Sequence, residues 1–233
     1  MKKIILPFLI GIFSMAMVSC EYDNYEKPNV RLYGNIVYQG EPINVKYNDV
    51  NLQLWESGWD LNYRIDVTVS PEGAYSALVF DGDYKLIIPS HQGPFRSIEN
   101  AETQSDTILV SLNGDYHMDI EVEPYYMVRN TQFSVSGNTL STNFGLEKII
   151  KDIDAKDIET VYLYVNKTKF VDFDARVADA ALAAGDIVDM NSISLSLTIP
   201  ELVPTQNYVF ARVGVKIAGV EDLLFSAVEK VNL

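Results

Sequence analysis

Three pairs of acids, Asp81 with Asp83, Asp152 with Asp154 and Asp172 with Asp174, are the side chains whose spacing could do chemistry. Two carboxylates can divide acid and nucleophile duties at a glycosidic bond, but only across a shaped cleft. Calcium is the other chemistry open to them, and it asks for six or more converging oxygens. Asp-x-Asp in an acidic, turn-rich chain is the ordinary composition of turns and solvated edges, so no catalytic residue is assigned and the chain is read as no enzyme. The two histidines, His91 in a Pro/Gly loop and His117 on the solvent side of a strand, have no partner at the spacing of a zinc site. No phosphate-cradling loop or nucleophile elbow occurs. Neither a metal nor a cofactor is expected.

Binding is a better match to the residues than catalysis. The segment from Trp55 to Tyr63 sets three large rings, Trp55, Trp59 and Tyr63, around a glycine-containing turn rimmed by Glu56 and Asp60. Flat apolar sugar faces stack on such rings, and an aromatic patch with a polar rim also suits a protein partner. In the strand that ends at Trp55 the core positions are Val50, Leu52 and Leu54, so period two turns Trp55 to the other face. The competing reading packs these rings over a sandwich mouth or into a domain seam. Tyr125 and Tyr126 are expected to fill that seam.

The amino-terminal residues address the protein. Lys2 and Lys3 precede an apolar run, Ile4 to Val18, and then Ser19-Cys20. This is the layout of a secretory signal, and the run is shorter than the roughly 20 residues that span a bilayer. Cys20 is the only cysteine, so no internal disulfide can form. Met17-Val18-Ser19-Cys20 resembles the bacterial lipobox, with Met17 where leucine is commoner. That resemblance implies cleavage before Cys20, lipid on its sulfur, and anchoring through several acyl chains at about 0.8 kcal/mol per buried methylene. The acidic stretch behind it, Glu21-Tyr22-Asp23-Asn24-Tyr25-Glu26, reads as a tether. It also resembles the signal that sends Bacteroidetes lipoproteins to the outer face of the outer membrane.

The formal charge of −14 makes nucleic acid a poor partner, because no Lys/Arg cluster is present to release phosphate counterions. Fourteen tyrosines and ten phenylalanines suit half-buried strands. From Pro28 onward, short alternating runs are punctuated by Gly, Pro, Asn and Asp, as in a sandwich. Strands are expected near residues 30–38, 50–55, 63–70, 74–80, 83–89, 107–112 and 117–123. A second series follows near 126–136, 139–145, 160–166, 192–199, 208–217 and 223–232. Met118, Ile120 and Val122 alternate cleanly with polar neighbours, as do Ile193, Leu195, Leu197 and Ile199. Residues 173–184 are alanine-rich, with Val177, Ala180, Ala181 and Ala184 at helical spacing, which predicts a short helix. The division is then a signal peptide at 1–19, a tether at 20–27, one domain at 28–124 and another at 125–233.

The ordered stretches Asp23-Asn24-Tyr25-Glu26-Lys27-Pro28, Gly34-Asn35-Ile36-Val37, Gly40-Glu41-Pro42-Ile43, Gly82-Asp83-Tyr84 and Gly93-Pro94-Phe95 look like an uncharacterised family of Bacteroidetes surface lipoproteins. Members are commonly encoded beside glycan-uptake pairs of the starch-utilisation type. The resemblance implies an all-β chain of two tandem β-sandwiches, the first similar to the transthyretin-like module found beside carboxypeptidases. The second carries Leu202-Val203-Pro204-Thr205-Gln206-Asn207-Tyr208, which resembles the fibronectin type III run into a tyrosine corner. There Leu202 plugs the core, the Tyr208 hydroxyl bonds back to loop backbone, and Arg212 and Gly214 follow as Arg-Val-Gly. The function so implied is a noncatalytic outer-membrane accessory to polysaccharide utilisation, acting by glycan binding or by contact with the uptake transporter and its receptor lipoprotein. A structural or adhesive spacer that binds another envelope protein is the alternative.

Overall fold

The computed structural model describes residues 26–56 and 63–233, and Cys20 and Trp59 lie outside them. In the first half the strands are β1 (Val30–Tyr38), β2 (Glu41–Pro42), β3 (Asn51–Glu56), β4 (Arg64–Thr68), β5 (Ala74–Val79), β6 (Gly82–Ile87), β7 (Phe95–Ser97), β8 (Ile108–Leu112), β9 (Tyr116–His117) and β10 (Ile120–Pro124). They form two sheets. One runs β4-β3-β6-β8; the other is built on β1, which pairs with β2, β5, β9 and β10, while β10 also pairs with β7. Period-two burial explains why these segments are strands. In β5, Tyr75, Ala77 and Val79 are buried while Ser76 and Leu78 face out, and β1 and β3 bury Leu32, Ile36, Leu52 and Leu54 against them.

The pairing of β1 with β9 depends on Gly34. A Cβ at that position would stand 1.9 Å from the Met118 carbonyl oxygen, so only glycine lets the two backbones approach.

The second half holds β11 (Tyr126–Ser136), β12 (Thr139–Lys148), β13 (Ile158–Asn166), β14 (Ala178–Ala183), β15 (Ile193–Thr198), β16 (Tyr208–Ile217), β17 (Leu224–Phe225) and β18 (Glu229–Asn232). A three-stranded sheet, β11-β12-β15, faces a second sheet ordered β14-β13-β16, whose last strand pairs with both β17 and β18. This is the layout of a fibronectin type III-like sandwich, with β17 and β18 sharing one edge of β16, and the described chain is all-β apart from one 3-10 turn. Leu140, Phe144, Leu195 and Leu197 of one sheet and Val161, Leu163, Val213 and Val215 of the other are buried. The buried apolar cluster is continuous across both halves.

Two expectations need correction. The alanine-rich segment is a strand, β14, followed by a single 3-10 turn at Ala184–Asp186. Ala178, Ala180 and Leu182 alternate with Asp179, Ala181 and Ala183 in half-burial, a period-two pattern that shares Ala180 with the helical one. The hydrogen bonds available along β13 settle the choice, from Thr160 opposite Ala183 to Val165 opposite Ala178. Tyr208 makes no tyrosine corner. Val209, Ala211, Val213 and Val215 take the core face of β16, which turns Tyr208 outward, with Lys230 Nζ 3.9 Å from the ring centroid. Gln206 ties the loop instead, donating to the Tyr208 and Lys167 carbonyls at 2.7 and 3.2 Å. Leu202 is buried as expected.

Candidate functional site

The outer face of the β4-β3-β6-β8 sheet collects the side chains that alternation turns away from the core. Its central row runs across all four strands as Arg64, Trp55, Lys85 and Leu109, each directly opposite the next. The adjoining row holds Asp66, Gln53 and Ile87, and beyond it lie Thr68 and Asn51. On the other side Asp83 stands opposite Ser111. Cross-strand partners have Cβ atoms about 5 Å apart, so these residues form one surface. Trp55 is half-buried, and its Nε1 is withdrawn from solvent with no hydrogen-bond partner among the described residues. Lys85 and Arg64 are exposed, and Leu109 is 76% exposed. Thr68 Oγ1 donates to Asn51 Oδ1 at 2.8 Å, which braces the polar end.

Of the three aromatic residues singled out from sequence, Trp59 lies outside the described residues, and Trp55 and Tyr63 are described. Tyr63 is 75% exposed but immediately precedes Arg64, the partner of Trp55, so continued alternation turns it to the opposite side. What sequence reasoning missed are the residues beside Trp55. The alternation of β3 is the signal that turns the indole outward, but β6 and β8 are joined to it only by register.

A concavity of about 500 Å³ opens elsewhere, where Phe95–Ser97 meets the second half of the chain, between Glu99, Asp106, Glu123 and Asp154. Arg96 spans it. Its guanidinium bonds Glu123 and Asp152 at 2.7 Å each and Asp154 at 2.8 Å, which holds the arginine above its usual range and the Asp152 carboxyl below its own. Two of the three acid pairs are turn formers. Asp152 Oδ1 accepts from the Asp154 amide at 2.9 Å, and Asp172 Oδ1 accepts from Asp174 and Ala175 at 2.8 and 2.9 Å. Their remaining oxygens serve the junction: Asp174 reaches Lys46 at 2.7 Å.

Residues 30–123 match the family model for the N-terminal domain of a protein of unknown function, DUF3823, and residues 126–230 match the model for its C-terminal domain. The chain belongs to the DUF3823 family. A DUF3823 structure from Parabacteroides merdae is 30% identical, with a TM-score of 0.76, covering 89% of this chain and 100% of its own. One from Bacteroides ovatus is 29% identical, with a TM-score of 0.77, covering 88% and 100%. A Bacteroides uniformis protein described as a candidate carbohydrate binding protein superposes at a TM-score of 0.69 over 89% of this chain and 100% of its own; at 17% identity the likeness is one of fold. No curated protein matches.

In this DUF3823 chain the two sandwiches meet through buried contacts. Arg212, 1% exposed, rises from the outer face of β16 and donates from Nε to the Ser226 carbonyl at 2.9 Å. Its Nη2 donates to the carbonyls of Val45 and Pro71 in the first domain, at 2.8 and 3.0 Å. The Phe225 ring lies beneath, 4.1 Å from the guanidinium carbon. Burial pulls this guanidinium down to about 9, opposed by the charges of Asp172 and Glu72. The Gly93 amide donates to Asp222 at 2.7 Å, and Arg129 joins Glu41 to Glu147. Tyr125 lies at this seam, its amide donating to the Pro94 carbonyl at 3.1 Å, while Tyr126 is buried and bonds the Lys156 carbonyl at 2.9 Å.

Proposed function

We propose that this DUF3823 protein is a noncatalytic glycan-binding accessory to polysaccharide utilisation, held at the outer surface of the outer membrane by lipid on Cys20. The observation that carries this reading is the outward-turned Trp55 on a sheet face bearing amides and hydroxyls. A pyranose ring buries its apolar face on an indole, while Asn51, Gln53, Thr68 and Ser111 offer both donors and acceptors to sugar hydroxyls. Two of the three acid pairs are committed elsewhere, to turns and to ion pairs with Arg96 and Lys46. The Bacteroides uniformis protein described as a candidate carbohydrate binder is built on the same fold.

Glycan arrays followed by calorimetry on the full chain in neutral-detergent micelles test binding. Trp55→Ala is expected to abolish it while the circular dichroism spectrum stays that of the folded wild type. Silence across broad plant and host glycans would sink the binding role. Acyl labelling of the wild type but not of Cys20→Ser, together with protease shaving of intact cells, tests the anchor and the outward face.

A second reading, a spacer that presents or contacts the uptake transporter and its receptor lipoprotein, draws on the buried junction at Arg212, which joins the two sandwiches. Recovery of an envelope protein that is lost on Trp55→Ala, with no sugar affinity, would favour it.

A further inference from the structure

We infer that the Trp55 face selects acidic glycans, chains whose sugars carry uronate carboxylates. This inference rests on reading that face as a glycan platform. It starts from the central row, in which the indole stands between two cations, Arg64 on one neighbouring strand and Lys85 on the other. The whole chain has 18 Lys and Arg against 32 Asp and Glu, so a row with two cations and no acid runs against the composition.

The two cations are not equivalent. Arg64 is held along its own strand by Asp66, with Nε 3.0 Å from the carboxylate, so its charge is largely answered within the sheet. Lys85 is exposed and, among the described residues, makes no ion pair. Asp83, the nearest acid on its strand, lies in the next row, opposite Ser111. Lys85 is therefore the group that a ligand's charge would meet. Beyond it Leu109 adds exposed apolar surface at the sheet edge. The row from Arg64 to Leu109 crosses four strands, about 14 Å at roughly 4.8 Å per step, enough for a short run of sugar rings.

A hexuronate matches both parts of this surface. Its ring supplies the flat apolar face for Trp55, and its carboxylate projects from the ring edge toward the neighbouring strand, where the ammonium of Lys85 can donate to it. The hydrogen bond is charge-assisted, of the stronger kind. A neutral sugar would use the indole and leave the ammonium to water. A phosphodiester polymer fits less well, because its affinity comes from many phosphates each meeting a cation, and this row offers two. The protein's net charge of −14 opposes any polyanion at a distance, but salt screens that repulsion beyond about 8 Å under physiological conditions. Within that distance Lys85, directly opposite Trp55, is the nearer charge, with Asp83 one row beyond it.

Calorimetry on the full chain in neutral-detergent micelles, with trimers of galacturonate, glucuronate and mannuronate beside their neutral hexose counterparts, tests the inference. At least one uronate trimer is expected to bind about tenfold or more tighter than its neutral counterpart at low salt, with the preference shrinking at 1 M NaCl. Lys85→Gln should erase the preference and keep the neutral affinity, whereas Trp55→Ala should remove both. Equal affinities for every charged and neutral pair, or a preference unchanged in Lys85→Gln, would overturn the acidic-glycan inference and leave the Trp55 platform standing. No binding by any trimer would overturn both.

Discussion

Arg212 Nη2 donates to the main-chain oxygen of Val45 at 2.8 Å, a hydrogen bond that joins the second domain to the first. A buried guanidinium forfeits its hydration, so it persists only where fixed acceptors replace the water. Val45, Pro71 and Ser226 supply three carbonyls and Phe225 a ring face. The charge is thereby spent on domain orientation, since two of those carbonyls belong to the partner domain.

Arg212→Met is expected to lose about 3 kcal/mol or more, because three buried carbonyls lose their charged donor. Wild-type protein should unfold in one cooperative transition, and the variant in two, as the domains uncouple. Urea titration followed by tryptophan fluorescence and circular dichroism checks this. Coincident single transitions in the variant would count against the junction.

Tyr164, cross-strand from Arg212, is fully buried, and its hydroxyl has no hydrogen-bond partner among the described residues. Burial also raises its ionisation well above the usual tyrosine range. Tyr164→Phe removes an unmet polar group without changing the ring, so a gain of about 1 kcal/mol is expected in denaturant melts.

Gly214, two residues beyond Arg212, leaves room for that same ring: a Cβ there would lie 2.8 Å from Tyr164 Cε2. Gly214→Ala should cost about 1–3 kcal/mol through overpacking. Gly34→Ala should cost more, because its Cβ meets the backbone of Met118, which cannot swing aside as a ring can. Comparative melting temperatures of the two variants test the order.

Asp222 is pushed above the ordinary carboxylate value of 3.8 chiefly by burial, although the Gly93 amide pulls it back. Between 3.8 and the raised value the folded state holds more protons than the unfolded one, so this group's contribution to stability falls as pH rises through that window. Asp222→Asn keeps an acceptor for Gly93 and removes the desolvated charge. The variant is expected to match or exceed the wild-type melting temperature at pH 7, and any advantage should vanish at pH 3, where both side chains are neutral. A lower melting temperature at pH 7 would contradict this.

Much of the architecture was legible along the chain, because alternation is a local property. Ile193, Leu195 and Leu197 announce β15, and Leu52 and Leu54 announce β3 with Trp55 turned outward. The alanine-rich segment misled for the same reason. Small side chains at 178–183 satisfy helical and strand spacings alike, and only the unpaired hydrogen bonds of β13 choose between them. Tyr208 misled because a familiar run of residues does not specify which face of β16 it occupies.

The sequence by itself determined the all-β class, the turn-forming roles of Asp152 and Asp172, and the outward side of Trp55. Each follows from neighbours a few residues away. Tertiary structure alone decided that Lys85 and Arg64 flank that indole, and that Arg212 reaches Val45 across 167 positions of chain. Register and domain packing bring distant segments together through hydrogen bonds and buried area that no local spacing encodes, and in this protein the candidate site is made by register.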